Sequence, residues 1–110
     1  MKRFSEYRIM WVMVTFDLPT SEFIERKAAM QFRKQLQKEG FTMFQYSIYV
    51  RPCASRENAT VHINRVKSFL PTHGDVCIFC ITDKQFGDIE IYHSMQKKEN
   101  NSTWKQLELF

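Results

Sequence analysis

Asp17 is the residue of this sequence best placed to do chemistry. It closes the apolar run MWVMVTF at Met10 to Phe16 and is followed at once by Leu18-Pro19. A carboxylate at the end of a buried strand is a candidate ligand for Mg²⁺, which is held by one or two carboxylates plus phosphate oxygens. An aspartate at this place is also typical of a turn, or of a cap on the helix that follows. The residues alone leave both interpretations open.

Basic side chains form a second candidate site on the following helix. The ten positions from 26 to 35 contain four cations and no acid, and the formal net charge of the chain is +4. Such a helix face either contacts the phosphates of a duplex without reading its bases, or is merely solvated. The candidate contacts are Arg26, Lys27, Arg33 and Lys34, with Arg51 and Arg56 as weaker candidates near the next loop.

A second catalytic group is hard to find near Asp17. Hydrolysis normally needs an acid or a base besides the metal ligand. His62 falls beside the apolar stripe of a predicted helix and is interpreted as structural. The motif CIFC at Cys77 to Cys80 lies in a predicted strand, where residues three apart point to opposite faces, so the cysteines are expected to be small buried hydrophobes. We therefore expect either weak cleavage or a metal that only holds phosphate.

The elements that position these residues begin with a strand at Ile9 to Phe16. Its almost continuous apolar run predicts a central strand covered on both faces. A helix follows from a cap at Thr20 or Ser21 to about Glu39, and Gly40 is predicted to stop it. The predicted core stripe of this helix consists of Ile24, Ala28, Phe32 and Leu36, widened by Ala29.

The second half of the chain repeats the alternation of strand and helix. The predicted elements are strands at Phe41 to Arg51, Asp75 to Thr82 and Ile89 to Tyr92, and a helix at Arg56 to Leu70. The first of these strands is expected to be kinked around Gln45 and ended by Pro52, and Ser55 is predicted to cap the helix. The predicted core stripe of the helix consists of Ala59, Ile63, Val66 and Leu70.

The order β-α-β-α-β-β predicts an α+β domain over residues 9–93. If the long middle strand is two pieces, the pattern is the ferredoxin-like βαββαβ fold with an extra C-terminal strand. Its antiparallel sheet carries helices on one face, and the apolar other face predicts a homodimer packed sheet against sheet. Residues 94–110 are polar and predict a flexible tail. The absence of a signal or membrane-spanning run predicts a soluble cytoplasmic protein with no membrane partner.

The chain resembles a known family from Met10 to Tyr92. The motifs that carry the resemblance are FDLP at Phe16 to Pro19, ERKAAMQFRKQLQKEGFTMFQYSIYVR, SRENA at Ser55 to Ala59 and ITDKQFG at Ile81 to Gly87. Together they are similar to the Cas2 family, small CRISPR-associated proteins of spacer acquisition, and most similar to members from Cas9-type systems. The resemblance implies a ferredoxin-like homodimer with a Mg²⁺ site at Asp17, and it makes residues 1–8 an N-terminal extension.

Two functions implied by the resemblance compete. In the first, the dimer is an adaptor that bridges dimers of the integrase Cas1 and holds protospacer DNA for insertion into the CRISPR array. In the second, it is a Mg²⁺-dependent endonuclease on RNA or DNA, in which the Asp17 carboxylates of both protomers share one ion and activate a water. We expect the adaptor to be the main function and the nuclease to be the alternative.

The pentapeptide QLELF at 106–110 forms a separate motif. It is similar to the peptide by which bacterial proteins dock on the replication sliding clamp. Leu109 and Phe110 would then fill an apolar pocket and Gln106 would form a hydrogen bond, with Leu107 completing the motif. In the alternative interpretation, the tail adds a strand to its own dimer or to Cas1.

Overall fold

The computed structural model describes residues 8–98 of the chain. The elements in chain order are β1 (Met10–Asp17), α1 (Phe23–Lys38), β2 (Thr42–Gln45), β3 (Ile48–Cys53), α2 (Arg56–Lys67), β4 (Asp75–Thr82), α3 (Asp83–Gly87), β5 (Ile91–His93) and β6 (Gln96–Lys98). The first six elements confirm the predicted ferredoxin-like order. The long middle strand is indeed two strands, which are joined by the turn Tyr46-Ser47.

Four strands form one antiparallel sheet in the order β2-β3-β1-β4. β1 lies inside this sheet, with Met13 opposite both Val50 of β3 and Phe79 of β4. The prediction that Pro52 ends β3 is wrong, because the strand continues to Cys53. β2 begins at Thr42, which is paired with Val50 of β3, so the β3 residues after Val50 have no neighbour in β2. Pro52 therefore lies at an edge of the sheet, where a proline is tolerated.

The two long helices pack on one face of the sheet, as predicted. Alternate β1 residues from Met10 to Phe16 join side chains of α1 and α2 in the main core. The α1 stripe differs from the prediction, since Ala29, Phe32 and Leu36 are buried but Ala28 is exposed and Ile24 is 72 % exposed. The first turns of α1 face the β1–α1 loop and the Pro71–His73 loop instead of the sheet, which leaves Ile24 at the rim of a surface groove.

The core stripe of α2 is confirmed at Ala59 and Val66, which are buried. His62 is also buried, as a structural histidine should be, whereas Ile63 is only partly covered. Leu70 is 43 % exposed, because α2 ends at Lys67 and does not carry Leu70 onto the sheet.

The opposite face of the sheet is covered in part by α3, a short helix that is absent from the elements predicted from the sequence. The Phe86 ring stacks on Trp11, with ring centroids 3.8 Å apart and planes within 7°. Asp83 is fully buried and accepts a 2.8 Å hydrogen bond from the Trp11 indole N–H. Beyond this cluster the same face remains open, and Cys77 and Phe79 of β4 are exposed there.

The last strands differ from the predicted extra strand and tail. β5 begins two residues later than predicted and pairs with β6 in a separate two-stranded sheet. Residues 96–98, which were assigned to the polar tail, therefore form a strand. The hairpin turn at Ser94 and Met95 has positive φ at both residues. The pentapeptide at 106–110 and most of the N-terminal extension lie outside the described residues, so both remain predictions.

The ends of α1 are partly as predicted. The N-cap is Glu22 and not Thr20 or Ser21, because the Glu25 carboxylate reaches back and accepts a 3.0 Å hydrogen bond from the Glu22 N–H. Gly40 stops the helix with a φ of 91°, in the left-handed region that favours glycine. No helix among residues 8–98 is both long and apolar enough to cross a membrane.

Candidate metal and nucleic-acid site

Two carboxylates lie side by side where β1 ends and β4 begins. Asp17 is directly opposite Asp75 in the β1–β4 register, and both are exposed. Both side chains belong to the sheet face away from the long helices, because they share the parity of Trp11 and Phe79 on their strands. Cβ atoms of such opposite residues are about 4.5–5.5 Å apart. The pair therefore concentrates negative charge at one end of the open face.

The two carboxylates line an open depression of about 390 Å³. Its lining residues are Thr15, Phe16, Asp17, Tyr46, Ser47, Ile48, Asp75, Val76 and Cys77. The β2–β3 turn is tied to this place because the Phe16 N–H donates a 3.1 Å hydrogen bond to the Ser47 carbonyl. Ser47 has a φ of 66°, so the turn adopts a specific left-handed conformation there. The depression thus has acidic residues on two strands and a fixed turn beside them.

Arg33 reaches from α1 to the same turn. Its guanidinium carbon lies 4.7 Å from the centroid of the Tyr46 ring and 5.4 Å from that of Phe16. Nη2 is 3.5 Å from the Ser47 hydroxyl, at the outer limit of a hydrogen bond. Arg33, a predicted phosphate contact, is therefore half-buried between two aromatic rings, and it reaches the depression through Tyr46, which is one of the lining residues.

The donor set of the depression fits Mg²⁺. Like charges directly opposite on neighbouring strands destabilise a sheet, and a divalent cation between Asp17 and Asp75 would relieve that repulsion. Mg²⁺ is commonly held by one or two carboxylates, with water and phosphate oxygens as its other ligands. Within residues 8–98, no group of three or more His, Cys, Asp or Glu side chains is placed to hold a metal. The ion would thus depend on substrate or on a second copy of the chain for further oxygens.

His62 is engaged elsewhere and is not part of this depression. Its Nε2 accepts a 2.9 Å hydrogen bond from Arg51 Nη2, because a guanidinium can only donate. Nδ1 therefore carries the ring proton and donates to Glu39 at 2.6 Å. Burial by itself raises the pKa of Glu39, but hydrogen bonds from His62 and Arg65 and the positive charge of Arg65 outweigh it, so the pKa lies below its ordinary value.

The other predicted cations fall into two groups. Lys27, Lys34 and Arg56 are exposed and available to a polyanion. Arg26 is also exposed, but its Nη1 donates to the carbonyls of residues 20 and 21 and so holds the β1–α1 loop. Arg51 is half-buried on His62, which makes it a poor candidate for a phosphate contact.

Comparison with known proteins places the fold and the depression in a family. The model of the family described as CRISPR associated protein Cas2 matches residues 10–89, which include Asp17, Tyr46 and Asp75. This chain belongs to the Cas2 family. The match to the family model ends at residue 89, before the pentapeptide at 106–110, so the match carries no information about that pentapeptide.

Curated Cas2 relatives are similar over most of their length. The "CRISPR-associated endoribonuclease Cas2" of Flavobacterium psychrophilum is 51 % identical over 108 residues, which cover 98 % of this chain and 94 % of the relative. The protein of the same name from Parvibaculum lavamentivorans is 48 % identical over 101 residues, covering 92 % of this chain and all of the relative. A Campylobacter jejuni relative, also so named, is 39 % identical and is covered over 71 % of its length.

Two residues of the depression were not singled out from the sequence. The sequence predicts Asp75 only as the first residue of a strand. The signal that could have identified it is an antiparallel pairing of β1 with β4, because the end of β1 then meets the start of β4 and Asp75 lies opposite Asp17. Tyr46 falls inside the predicted strand Phe41 to Arg51, beside the kink expected around Gln45. Its place in the depression depends on the turn Tyr46-Ser47 and on the hydrogen bond that ties this turn to β1.

Proposed function

We propose that this Cas2-family chain is a Mg²⁺-dependent endonuclease that cleaves RNA. The observation that carries the proposal is the pair of exposed carboxylates, Asp17 and Asp75, that line an open depression. Curated relatives that cover most of this chain are named endoribonucleases, which supports RNA as the substrate. Asp17 is assigned as the main metal ligand and Asp75 as its partner.

The residues of the depression divide the work of such a reaction. A bound Mg²⁺ supplies a Lewis acid for the phosphodiester and lowers the pKa of a coordinated water. Asp17 and Asp75 would offer carboxylate oxygens to that ion, while Arg33 lies against Tyr46, which also lines the depression. No histidine, glutamate or lysine is among the residues that line the depression, so acid–base help from side chains is limited and we expect slow turnover.

The test is Mg²⁺-dependent cleavage of a single-stranded RNA by the purified chain. We expect Asp17→Asn to lower the single-turnover rate by about 100-fold or more, the scale of losing a catalytic group. Asp75→Asn should lower it by about 10-fold and raise the Mg²⁺ concentration required, as loss of a supporting ligand does.

The matched control is Asp88→Asn, which removes another exposed carboxylate, one that pairs with the surface lysine Lys84. This variant should cleave at the wild-type rate. Full activity in a folded Asp17→Asn chain would overturn the proposal, as would equal activity in EDTA.

A second candidate function is the adaptor role, in which a homodimer bridges Cas1 dimers and holds protospacer DNA. It is favoured by the exposed Phe79 and Cys77 on the open sheet face, which a second copy could cover, and by the exposed lysines Lys27 and Lys34 on α1. Spacer acquisition should survive Asp17→Asn if the chemistry belongs to Cas1. Loss of acquisition by a folded Asp17→Asn chain that still binds Cas1 would contradict a purely architectural role.

A further inference from the structure

Tyr46 is an unusual residue for the place it occupies. It lies at the first position of the two-residue β2–β3 turn, where small polar residues and glycine are the usual choices. Its side chain is 75 % exposed, which makes it the most exposed aromatic residue within 8–98. Neither the main core nor the α3 cluster includes it. Burial in a core cluster therefore gives no reason for an aromatic ring at this position.

The ring is nevertheless held in place from one side. The Arg33 guanidinium lies 4.7 Å from its centroid, and Arg33 is itself fixed by contact with Phe16 at 5.4 Å. Arg33 Nε is buried without a hydrogen-bond partner in the described structure, so ring contacts replace polar ones for this part of the side chain. A ring that is already ordered loses little conformational freedom when a ligand stacks on it.

Tyr46 also stands next to the proposed metal ligands. It lines the same depression as Asp17 and Asp75. The hydrogen bond from Phe16 N–H to the Ser47 carbonyl links the turn to the residue immediately before Asp17. A planar group stacked on Tyr46 would thus be attached to a backbone that passes the two carboxylates.

We propose that Tyr46, backed by Arg33, is a stacking platform for one unpaired nucleobase beside the phosphodiester at Asp17. The proposal deepens the nuclease function above and rests on it for the reaction, but not for the binding. Every base has an aromatic face, so the platform accepts single strands of any sequence. Bases of a duplex are stacked inside the helix and cannot reach the ring. Tyr46 therefore selects unpaired over paired substrates.

Fluorescence of a single-stranded RNA that contains 2-aminopurine tests the platform without cleavage. Titrations are made in EDTA, so that no reaction occurs. We expect the wild-type chain to quench the 2-aminopurine fluorescence by stacking. Tyr46→Phe keeps the aromatic ring and should quench it to the same extent. Tyr46→Ala should lose the quenching and bind about 5- to 150-fold more weakly, the range measured for loss of one base–aromatic stack.

Two controls separate stacking from other effects of the substitution. Tyr92→Ala removes another exposed tyrosine, on β5, and should leave quenching unchanged. Binding of a fully paired RNA duplex should change by less than about twofold in Tyr46→Ala. Equal affinity of Tyr46→Ala and wild type for the single strand would overturn the proposal, and so would an equal loss for the duplex.

A change in sedimentation coefficient on Tyr46→Ala would also overturn it, because Tyr46 would then be a contact between two copies of the chain. Failure of the stacking platform can be distinguished from failure of the nuclease proposal. A chain that quenches the probe but never cleaves RNA contradicts only the nuclease. A chain whose cleavage depends on Asp17, but whose quenching and RNA affinity are unchanged by Tyr46→Ala, contradicts only the platform.

Discussion

The three cysteines show how the surroundings of single residues set their chemistry in this chain. Cys53 is buried in the main core, and that burial raises the pKa of its thiol to about 11. Burial also raises the pKa of Cys80. Cys77 lies on the other face of β4 and is exposed, so the expectation that it is buried is wrong, while the expectation of opposite faces is confirmed. Cys53 and Cys80 are thus neutral packing residues at ordinary pH.

The stability of the protein should therefore depend on pH through Cys53. Between its ordinary value of 9.0 and about 11, the unfolded thiol has lost its proton while the native one keeps it. The native state then binds more protons, so the free energy of unfolding falls as the pH rises through this window. We expect Cys53 to contribute a loss of about 2 kcal/mol by pH 10.5.

Urea unfolding at pH 8 and pH 10.5 measures this contribution. Cys53→Ala should be less stable than wild type at pH 8 because of the cavity, but should lose about 2 kcal/mol less on going to pH 10.5. Cys77→Ala is the control and should follow wild type. Parallel losses in wild type and Cys53→Ala would show that the native thiol is not held neutral by burial.

At the scale of elements, the C-terminal end of α1 is joined to β3 and α2 by a polar network. Glu39 from the end of α1 receives hydrogen bonds from His62 and from Arg65 of α2. Arg51 of β3 completes the network through His62. Gly40 is part of this arrangement, because a Cβ at this position would lie 2.8 Å from Arg51 Nη1.

Gly40→Ala should lower the free energy of unfolding by about 1–3 kcal/mol. The φ of 91° costs about 1–2 kcal/mol for a residue with a Cβ, and the Arg51 guanidinium, which is hydrogen-bonded to His62, must also shift away from the new Cβ. In an Arg51→Ala background, Gly40→Ala should cost only the free energy that comes from the positive φ. Chemical denaturation of wild type, the two single variants and the double variant gives the cost with and without Arg51. A Gly40→Ala chain as stable as wild type would contradict the role of this turn.

Elements with strong patterns could be predicted from the sequence, and those set by contacts could not. β1 and β4 follow from continuous apolar runs, and Gly40 and Ser55 mark helix ends as expected. α3 was missed because its five residues are too few for a periodic pattern; its start depends on a capping box at Thr82 and on the stacking of Phe86 on Trp11. Asp75 could not be singled out from the sequence either, because its position opposite Asp17 depends on the register between β1 and β4.

At the scale of the whole molecule, the open face of the sheet is the feature that remains to be covered. α3 protects the end that contains Trp11, but Phe79 is 40 % exposed in the middle of β4 and Cys77 is exposed next to it along this face. Apolar sheet faces are normally buried against another layer. We infer that a second copy of the chain supplies that layer, which would also bring two depressions together.

Phe79→Glu should therefore convert a dimer into a monomer, because it places a charge in the apolar interface. Analytical ultracentrifugation of the purified chain measures the change. Val61→Glu is a matched control, since Val61 is similarly exposed, at 44 %, but lies on α2 on the other side of the sheet. Dimers that persist in Phe79→Glu, or a wild-type monomer, would show that this face is not the subunit interface.

The proposed reaction requires that a divalent cation binds at Asp17 and Asp75. Mn²⁺ in place of Mg²⁺ tests this binding, because the paramagnetic ion broadens the NMR signals of nearby amides in the ¹⁵N-labelled chain. We predict that signals around Asp17, Asp75 and the Tyr46-Ser47 turn broaden first, and that Asp17→Asn removes the effect. Broadening that centres elsewhere, or that is unchanged in Asp17→Asn, would contradict a cation site at these two carboxylates.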